Sequence, residues 1–323
     1  MAEDVFISLG PDRAELFRWA EDRLVQATIE REGEGGPVGG VFLGRVLKLD
    51  RALDAAFVEI GLEKPGLLPL KKHDTFSEGD AIVVQVKRDA REDKGVRLAK
   101  ASVAAKLREN RTPPALLVPP PMLWQSALKA LAPERTNAVH CDRRGDMERV
   151  IAAAPELAKK VQHTPRRNWE PNDAAINEEA TAALQEEVPL SSGGHLLIEP
   201  VRTLTAIDVN SGDAGARRGD AGGRSGGGSG GGMGETALSV NLAAAREIPI
   251  QLALRNIGGV IVIDFIDIEN RAKREQVVEA LREAVIVDPA IDWVGNMSRL
   301  GLVELKRRRG GPTLAEMWTR RGT

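Results

Sequence analysis

The 323-residue chain has a single cysteine, Cys141. One thiol makes neither an internal disulfide nor a cysteine-based zinc site, which excludes disulfide scaffolds and several metal folds and sets the expectation of a reducing, cytoplasmic location. No apolar run approaches the roughly 18 residues of a membrane span. The acidic start MAEDVFISLG also lacks the charged-then-apolar pattern of a secretory leader. Excess charge is missing too: 45 Lys and Arg face 47 Asp and Glu, so total charge gives no hint of a nucleic-acid partner. Only residues 299–323, with seven Lys or Arg against two Glu, are locally basic, and such a tail is more often a solvated end than a binding surface. His73, His140, His163 and His195 are scattered without metal-ligand spacing, and Ser191, Ser192 and Ser211 have no visible partners for nucleophilic catalysis. The run GGRSGGGSGGG lacks the Gly-Lys-Ser/Thr ending of a phosphate loop.

What is present reads as globular, with 42% hydrophobic and 28% charged residues, in a chain long enough for two or three domains. Residues 1–35 alternate the strand-like DVFISLG with a charged stretch and a second strand, RLVQATIERE. After the boundary GEGGPVGG come short strands every 8–12 residues: GVFLGRVLKL, AAFVEIG, GLLPL, AIVVQVKRDA and VRLAKAS. That spacing predicts a small β-barrel of OB type, an architecture whose face often holds nucleic acid. RTPPALLVPPPM, with five prolines in twelve residues, forms neither helix nor central strand and reads as a connector. Beyond it LWQSALKALA, DMERVIAAAPELAKKV and residues 174–187 read as helical and NAVHCD as a strand. Residues 212–234 are glycine-rich, too poor in apolar side chains to offset their ordering entropy, and are expected to be flexible. A helix over about 238–256, started or interrupted by Pro249, precedes the strand GVIVID and the helix RAKREQVVEALREAV.

Two apolar strands in this last part end on aspartates, TLTAIDVNSG on Asp208 and GGVIVIDFIDIE on Asp264. VIVI (260–263) is apolar at four successive positions, so its strand is expected to be covered on both faces. Asn210 follows Asp208 on the same strand face. Carboxylates ending adjacent strands repel each other unless a cation lies between them, and hard oxygen ligands of this kind suit Mg²⁺. The other reading makes each aspartate a turn cap or the partner of an arginine; the residues alone leave both open. Asp267 would point to the opposite face if the strand continued, which favours a structural role.

The segments GGHLLIEPVRTLTAIDVNSG, ETALSVNLAAAREIPIQLALRNIGGVIVIDFIDIENRAKREQVVEALREAV and MSRLGLVELKRRR together resemble the ribonuclease E/G family of single-strand RNA endonucleases. GGVFLGRVLKLDRALDAAFVEIGLEKPGLLPL resembles that family's inserted S1-type OB domain. The resemblance implies an α/β fold with a discontinuous RNase H-like part (1–37 and 120–190). To this it adds the OB-fold at 38–103, a proline-rich connector at 104–119 in place of the 5′-sensor, a DNase I-like catalytic domain at 191–309 and a basic tail at 310–323. It makes Asp208 and Asp264 the Mg²⁺ carboxylates, with Mn²⁺ as the alternative ion, and Asn210 their hydrogen-bonding companion. Phe57 matches a base-stacking aromatic, although the residue pattern alone favours a barrel-core phenylalanine. Lys94 matches a lysine near the RNA backbone, and Arg97 and Arg299 are placed with them as RNA-binding residues.

The activity implied is Mg²⁺-dependent hydrolysis of single-stranded RNA in processing or decay, leaving 5′-phosphate and 3′-hydroxyl ends. Departures from the family pattern are Leu67 in place of a second aromatic, Ile291 near the position of a family arginine, the missing 5′-sensor segment, and the missing cysteine pair of the zinc link. They imply insensitivity to the RNA 5′ end and no zinc-linked dimer, and they keep open an alternative, a catalytically weakened RNA-binding protein of the same fold.

Overall fold

The computed structural model describes residues 2–31, 35–90, 95–212, 231–286, 288–308 and 310–319. Lys94 and residues 213–230 of the glycine-rich 212–234 segment lie outside the described residues, while residues 231–234, expected to be flexible, open a helix. The chain is mixed α/β and divides into two compact units, Met1–Ile29 with Leu131–Thr323, and Glu30–Ala130.

The chain starts with β1 (Glu3–Leu9), β2 (Arg13–Ala20) and β3 (Arg23–Arg31). The charged stretch between the two expected strands is therefore itself a strand. Its polar residues hide the pattern because Glu15 is buried and ion-paired to Arg13 and Arg166.

In the second unit, β4 (Val41–Asp50), β5 (Ala55–Glu59), β6 (Gly66–Pro69), β7 (Ala81–Arg88) and β8 (Arg97–Lys100) pair in the closed ring β4–β5–β6–β8–β7–β4. This is the expected OB-like barrel. Alternate positions fill it: Val46, Ala56, Val58, Leu68, Val84, Val86 and Leu98 are buried together. Full burial of such an aliphatic side chain is worth about 1.5–3 kcal/mol relative to exposure. Gly44 lets β4 and β5 close, since a Cβ there would come within 2.5 Å of Val58 Cγ1. The short helix α1 (Ala105–Arg108) follows. The proline-rich connector then contributes β9 (Ala115–Val118), a sixth strand on the outer edge of β4. Proline is tolerated there because an edge strand pairs on one side only. Helix α2 (Leu123–Lys129) also belongs to this unit.

Back in the first unit, β10 (Thr136–Cys141), α3 (Arg144–Ala153), β11 (Val161–His163) and α4 (Asp173–Ala182) follow, and the sheet order is β11-β10-β1-β2-β3. The last part holds β12 (Glu187–Pro189), β13 (His195–Pro200), β14 (Thr205–Asn210), α5 (Gly231–Leu254), β15 (Gly259–Asp264), α6 (Arg271–Val285), β16 (Ile291–Val294), β17 (Leu302–Arg307) and α7 (Leu314–Thr319). Its sheet runs β12-β13-β14-β15-β17-β16, with β14 and β15 parallel.

Helix α5 continues through Pro249 rather than starting or stopping there; proline removes one helical N–H bond, to the carbonyl of Ala245. Asn270 caps α6 by accepting from Lys273 N, worth about 1 kcal/mol. One sheet face, carrying Ile207, Val209, Ile261, Ile263, Val303 and Leu305, packs into a core with α5 and α6. The other face is open. Val260 is 48% exposed and Val262 half-buried, so β15 is covered on one face and not, as VIVI suggested, on both. A run of four β-branched residues satisfies a half-open strand as readily as a buried one.

Candidate active site and nucleic-acid face

The parallel pairing of β14 with β15 sets Asp208 directly opposite Asp264. Neighbouring strands lie about 4.8 Å apart, so the two carboxylates stand side by side on the open face, both exposed. They sit at the carboxyl ends of parallel strands, where open α/β sheets bind ligands. Asn210, two residues on, donates from Nδ2 to Asp208 Oδ2 at 2.6 Å, which occupies one carboxylate oxygen and, among the described residues, leaves the other without a hydrogen-bond donor. Burial, then the charges of Asp208 and Asp267, hold the Asp264 carboxyl above its usual range. Asp267 thus lies near enough to act on Asp264 by its charge. The strand stops at Asp264, so the alternation that assigned Asp267 to the other face does not extend to it. A Cβ on Gly301 (φ +83°) would lie 3.3 Å from Asp267 Oδ1 and 4.0 Å from Asp264 Oδ1. Thus the turn carrying exposed Arg299 closes against these carboxylates.

Two further residues border the site: His195, set aside in the sequence for lack of metal-ligand spacing, and Asn241, not singled out there. His195 is the register partner of Asn210 and shares its open face, because Leu196 and Ile198 occupy the buried one. Asn241 on α5 is fully buried; its Nδ2 donates to Ile266 O at 2.8 Å and its Oδ1 accepts from Ile266 N at 3.0 Å. It pins the irregular segment that begins just after Asp264. A lone asparagine inside the apolar stretch LSVNLAAA was the available signal.

Among the described residues, no group of three or more His, Cys, Asp or Glu is placed to hold a metal ion. The donor set is the Asp208–Asp264 pair, and it fits Mg²⁺, which takes one or two carboxylates and fills its other positions with water or substrate phosphate. The charges of Asp208 and Asp267, which add to burial in raising Asp264, are what such a cation would neutralise.

On the barrel, Phe57 is half-buried and points outward between core residues Ala56 and Val58. The core placement favoured by the residue pattern is therefore incorrect. Register pairing extends the row: Lys48 opposite Phe57, Phe57 opposite Leu67, Leu67 opposite Arg97, and Arg97 opposite Arg88. One stripe across the barrel presents three cations, an aromatic and a leucine, and both end cations stand beside register shifts in β4 and β7. Lys48 and Arg88 were not anticipated. Alternation alone does not give their facing across a bulge.

The sequence is similar to those of known proteins. A family model described as the ribonuclease E/G family matches residues 85–310. Ribonuclease E of Haemophilus influenzae is 26% identical over 388 positions, covering 91% of this chain and 40% of the relative; that of Escherichia coli K12 is 27% identical, with 91% and 35% covered. Ribonuclease G of Escherichia coli K12 is 24% identical, with 96% of this chain and 80% of the relative covered. The chain thus spans well under half the length of these ribonuclease E proteins. Alignments of 388 to 405 positions exceed its own 323 residues, so the relatives carry internal residues that it lacks. With the model matching more than half of its length, the chain belongs to the ribonuclease E/G family.

Proposed function

We propose that the chain is a Mg²⁺-dependent endoribonuclease that hydrolyses single-stranded RNA in processing or decay. The observation that carries this reading is the register-paired Asp208 and Asp264 on an open sheet face, with Asn210 bonded to the first. Relatives named ribonuclease E and ribonuclease G support it. Asp208 and Asp264 would hold the ion, which when bound supplies a Lewis acid for the phosphoryl oxygen and an activated water. Asn210 fixes the Asp208 rotamer and has a second amide hydrogen to offer a phosphate oxygen. Since water attacks phosphorus and the 3′ oxygen leaves, the products carry 5′-phosphate and 3′-hydroxyl ends, and the 2′-hydroxyl has no covalent part. The test is a labelled unstructured RNA incubated with Mg²⁺ and with EDTA, the product ends being typed by phosphatase and ligase. Binding without cutting in Mg²⁺ would favour the weakened RNA-binding protein, to which Leu67 and Ile291 point.

The barrel stripe Lys48–Phe57–Leu67–Arg97–Arg88 is the proposed RNA-holding face, Phe57 stacking a base and the cations meeting phosphates. Phe57→Ala is expected to weaken binding by about 1–3 kcal/mol. Its melting temperature should stay near wild type, because the ring lies outside the barrel core. A thermal melt run beside an anisotropy titration checks both; a large drop in melting temperature would return Phe57 to a structural role.

Cleavage is also proposed to ignore the RNA 5′ end. A monophosphate sensor needs a pocket of hydrogen-bond donors, and the segment joining barrel and helix is a proline-rich edge strand. Rates on 5′-monophosphate, 5′-hydroxyl and 5′-triphosphate versions of one oligonucleotide should agree closely at fixed salt, which must be held because backbone contacts weaken as salt rises. A tenfold preference for the monophosphate would overturn this.

A further inference from the structure

The open face of the catalytic sheet continues beyond the carboxylates, and its far end has no part in the chemistry above. Register pairing sets Val260 opposite Lys306 and Lys306 opposite Trp293. Trp293 is 52% exposed. Its ring lies along the edge strand: a Cβ on Gly295, two residues on and on the same face, would meet ring atoms Cη2 and Cζ2 at 2.9 and 3.4 Å. The glycine therefore leaves room for the indole, which leans toward the carboxylate end beside the Gly295 backbone.

Between this row and the aspartates lie half-buried Ala206 and Val262, paired with each other and flanked by exposed Glu199 and Glu304. The floor is apolar along its centre and acidic at its sides, which repels phosphates and accepts bases or sugars. At the far end Lys306 is exposed, while Asp292 is already paired with Arg308. From Asp264 to Trp293 the path is four residues along the strand and two strands across, about 17 Å, or roughly two or three extended nucleotides.

We propose that Trp293 is a base-stacking platform for the RNA strand two or three nucleotides from the scissile phosphate, with Lys306 meeting the neighbouring phosphate. The occupant is single-stranded RNA because the strip is continuous with the carboxylate site and pairs an exposed aromatic with a lysine that has no acidic partner among the described residues, the combination that tracks single strands. Trp293 is a positioning residue, and the inference rests on the endoribonuclease reading.

The test compares wild type, Trp293→Ala, Trp293→Phe and Lys306→Gln on a nested set of labelled oligonucleotides sharing one cleavage site and shortened stepwise from each end. On long substrates Trp293→Ala should raise KM about tenfold with kcat nearly unchanged, and Trp293→Phe should restore most of the loss. The defect should vanish on substrates shortened past the platform from one end only. Lys306→Gln should reduce the slope of log affinity against log salt by about 0.7, one single-strand contact. A Trp293→Ala defect equal on all lengths, or absent on all, overturns the proposal. So does wild-type self-association that Trp293→Ala abolishes in sedimentation, because the face would then cover a second copy. If wild type binds RNA without cutting it, the nested set is read by anisotropy instead, so that failure of the nuclease reading and failure of the platform are told apart.

Discussion

Asp208→Asn and Asp264→Asn should each lose RNA cleavage by about three orders of magnitude, an effect of about 4 kcal/mol on the transition state. RNA affinity should stay within a few-fold, because the barrel stripe is untouched. A loss of activity alone would not separate a metal ligand from a turn cap, but stability does. Asp264 is held above its usual carboxyl range by burial and by the charges of Asp208 and Asp267. A carboxyl raised in the folded state favours folding only in its protonated form, so at neutral pH the ionised group opposes folding. Neutral asparagine removes that opposition. In EDTA, Asp264→Asn should therefore melt at or above the wild-type temperature. Adding Mg²⁺ should raise the wild type, since a ligand bound only to the folded state stabilises it by mass action, and should leave the variant where it was. A cap or ion-pair role requires the reverse in EDTA, a variant that melts early; that result, or near-normal turnover in either variant, ends the metal assignment.

The same two aspartates show how far sequence carries this protein. An apolar strand that ends on a carboxylate is legible residue by residue, and two such endings with Asn210 at i+2 outlined the candidate site. Their direct opposition was not legible, because it depends on β14 and β15 pairing in parallel across the long α5 connection. Hydrophobic content misled where it was unbroken. VIVI concealed that Val260 faces solvent, and the run Ala55–Ala56–Phe57–Val58 concealed which side Phe57 takes, since a period-two signal requires polar residues to mark the outer face. Charge misled in the opposite sense at β2, where Glu15 is buried with Arg13 and Arg166 paired to it. Asp267 was placed on the opposite face by extending a strand past its true end, and strand ends are set by hydrogen-bond partners in other elements.

Asn241 is the partner that sets this one, and its replacement should give the second large effect. After Asp264 the chain leaves the sheet, and buried backbone groups must still find partners. The Asn241 amide acts as a substitute strand for Ile266, donating to its carbonyl and accepting from its N–H at 2.8 and 3.0 Å from a fully buried position. Ile266 lies between Asp264 and Asp267, so one side chain fixes the direction in which both carboxylates leave the sheet. Asn241→Ala orphans both Ile266 groups at roughly 1–3 kcal/mol each, and a stability loss of about 2–5 kcal/mol should appear as a lower urea midpoint. Asn241→Asp keeps the acceptor but turns a carboxylate oxygen toward the Ile266 carbonyl inside the core, where an unpaired charge costs more than a missing group; it should be the less stable of the two. Cleavage should be measured well below each variant's melting temperature, with the folded fraction fixed by circular dichroism. Activity per folded Asn241→Ala molecule should then fall at least tenfold while RNA affinity holds, because a loosened Ile266 lets Asp264 turn out of line with Asp208. If the folded Asn241→Ala protein cuts at the wild-type rate, the pin stabilises the domain without aiming the carboxylates, and the register of β14 with β15 alone is enough to build the site.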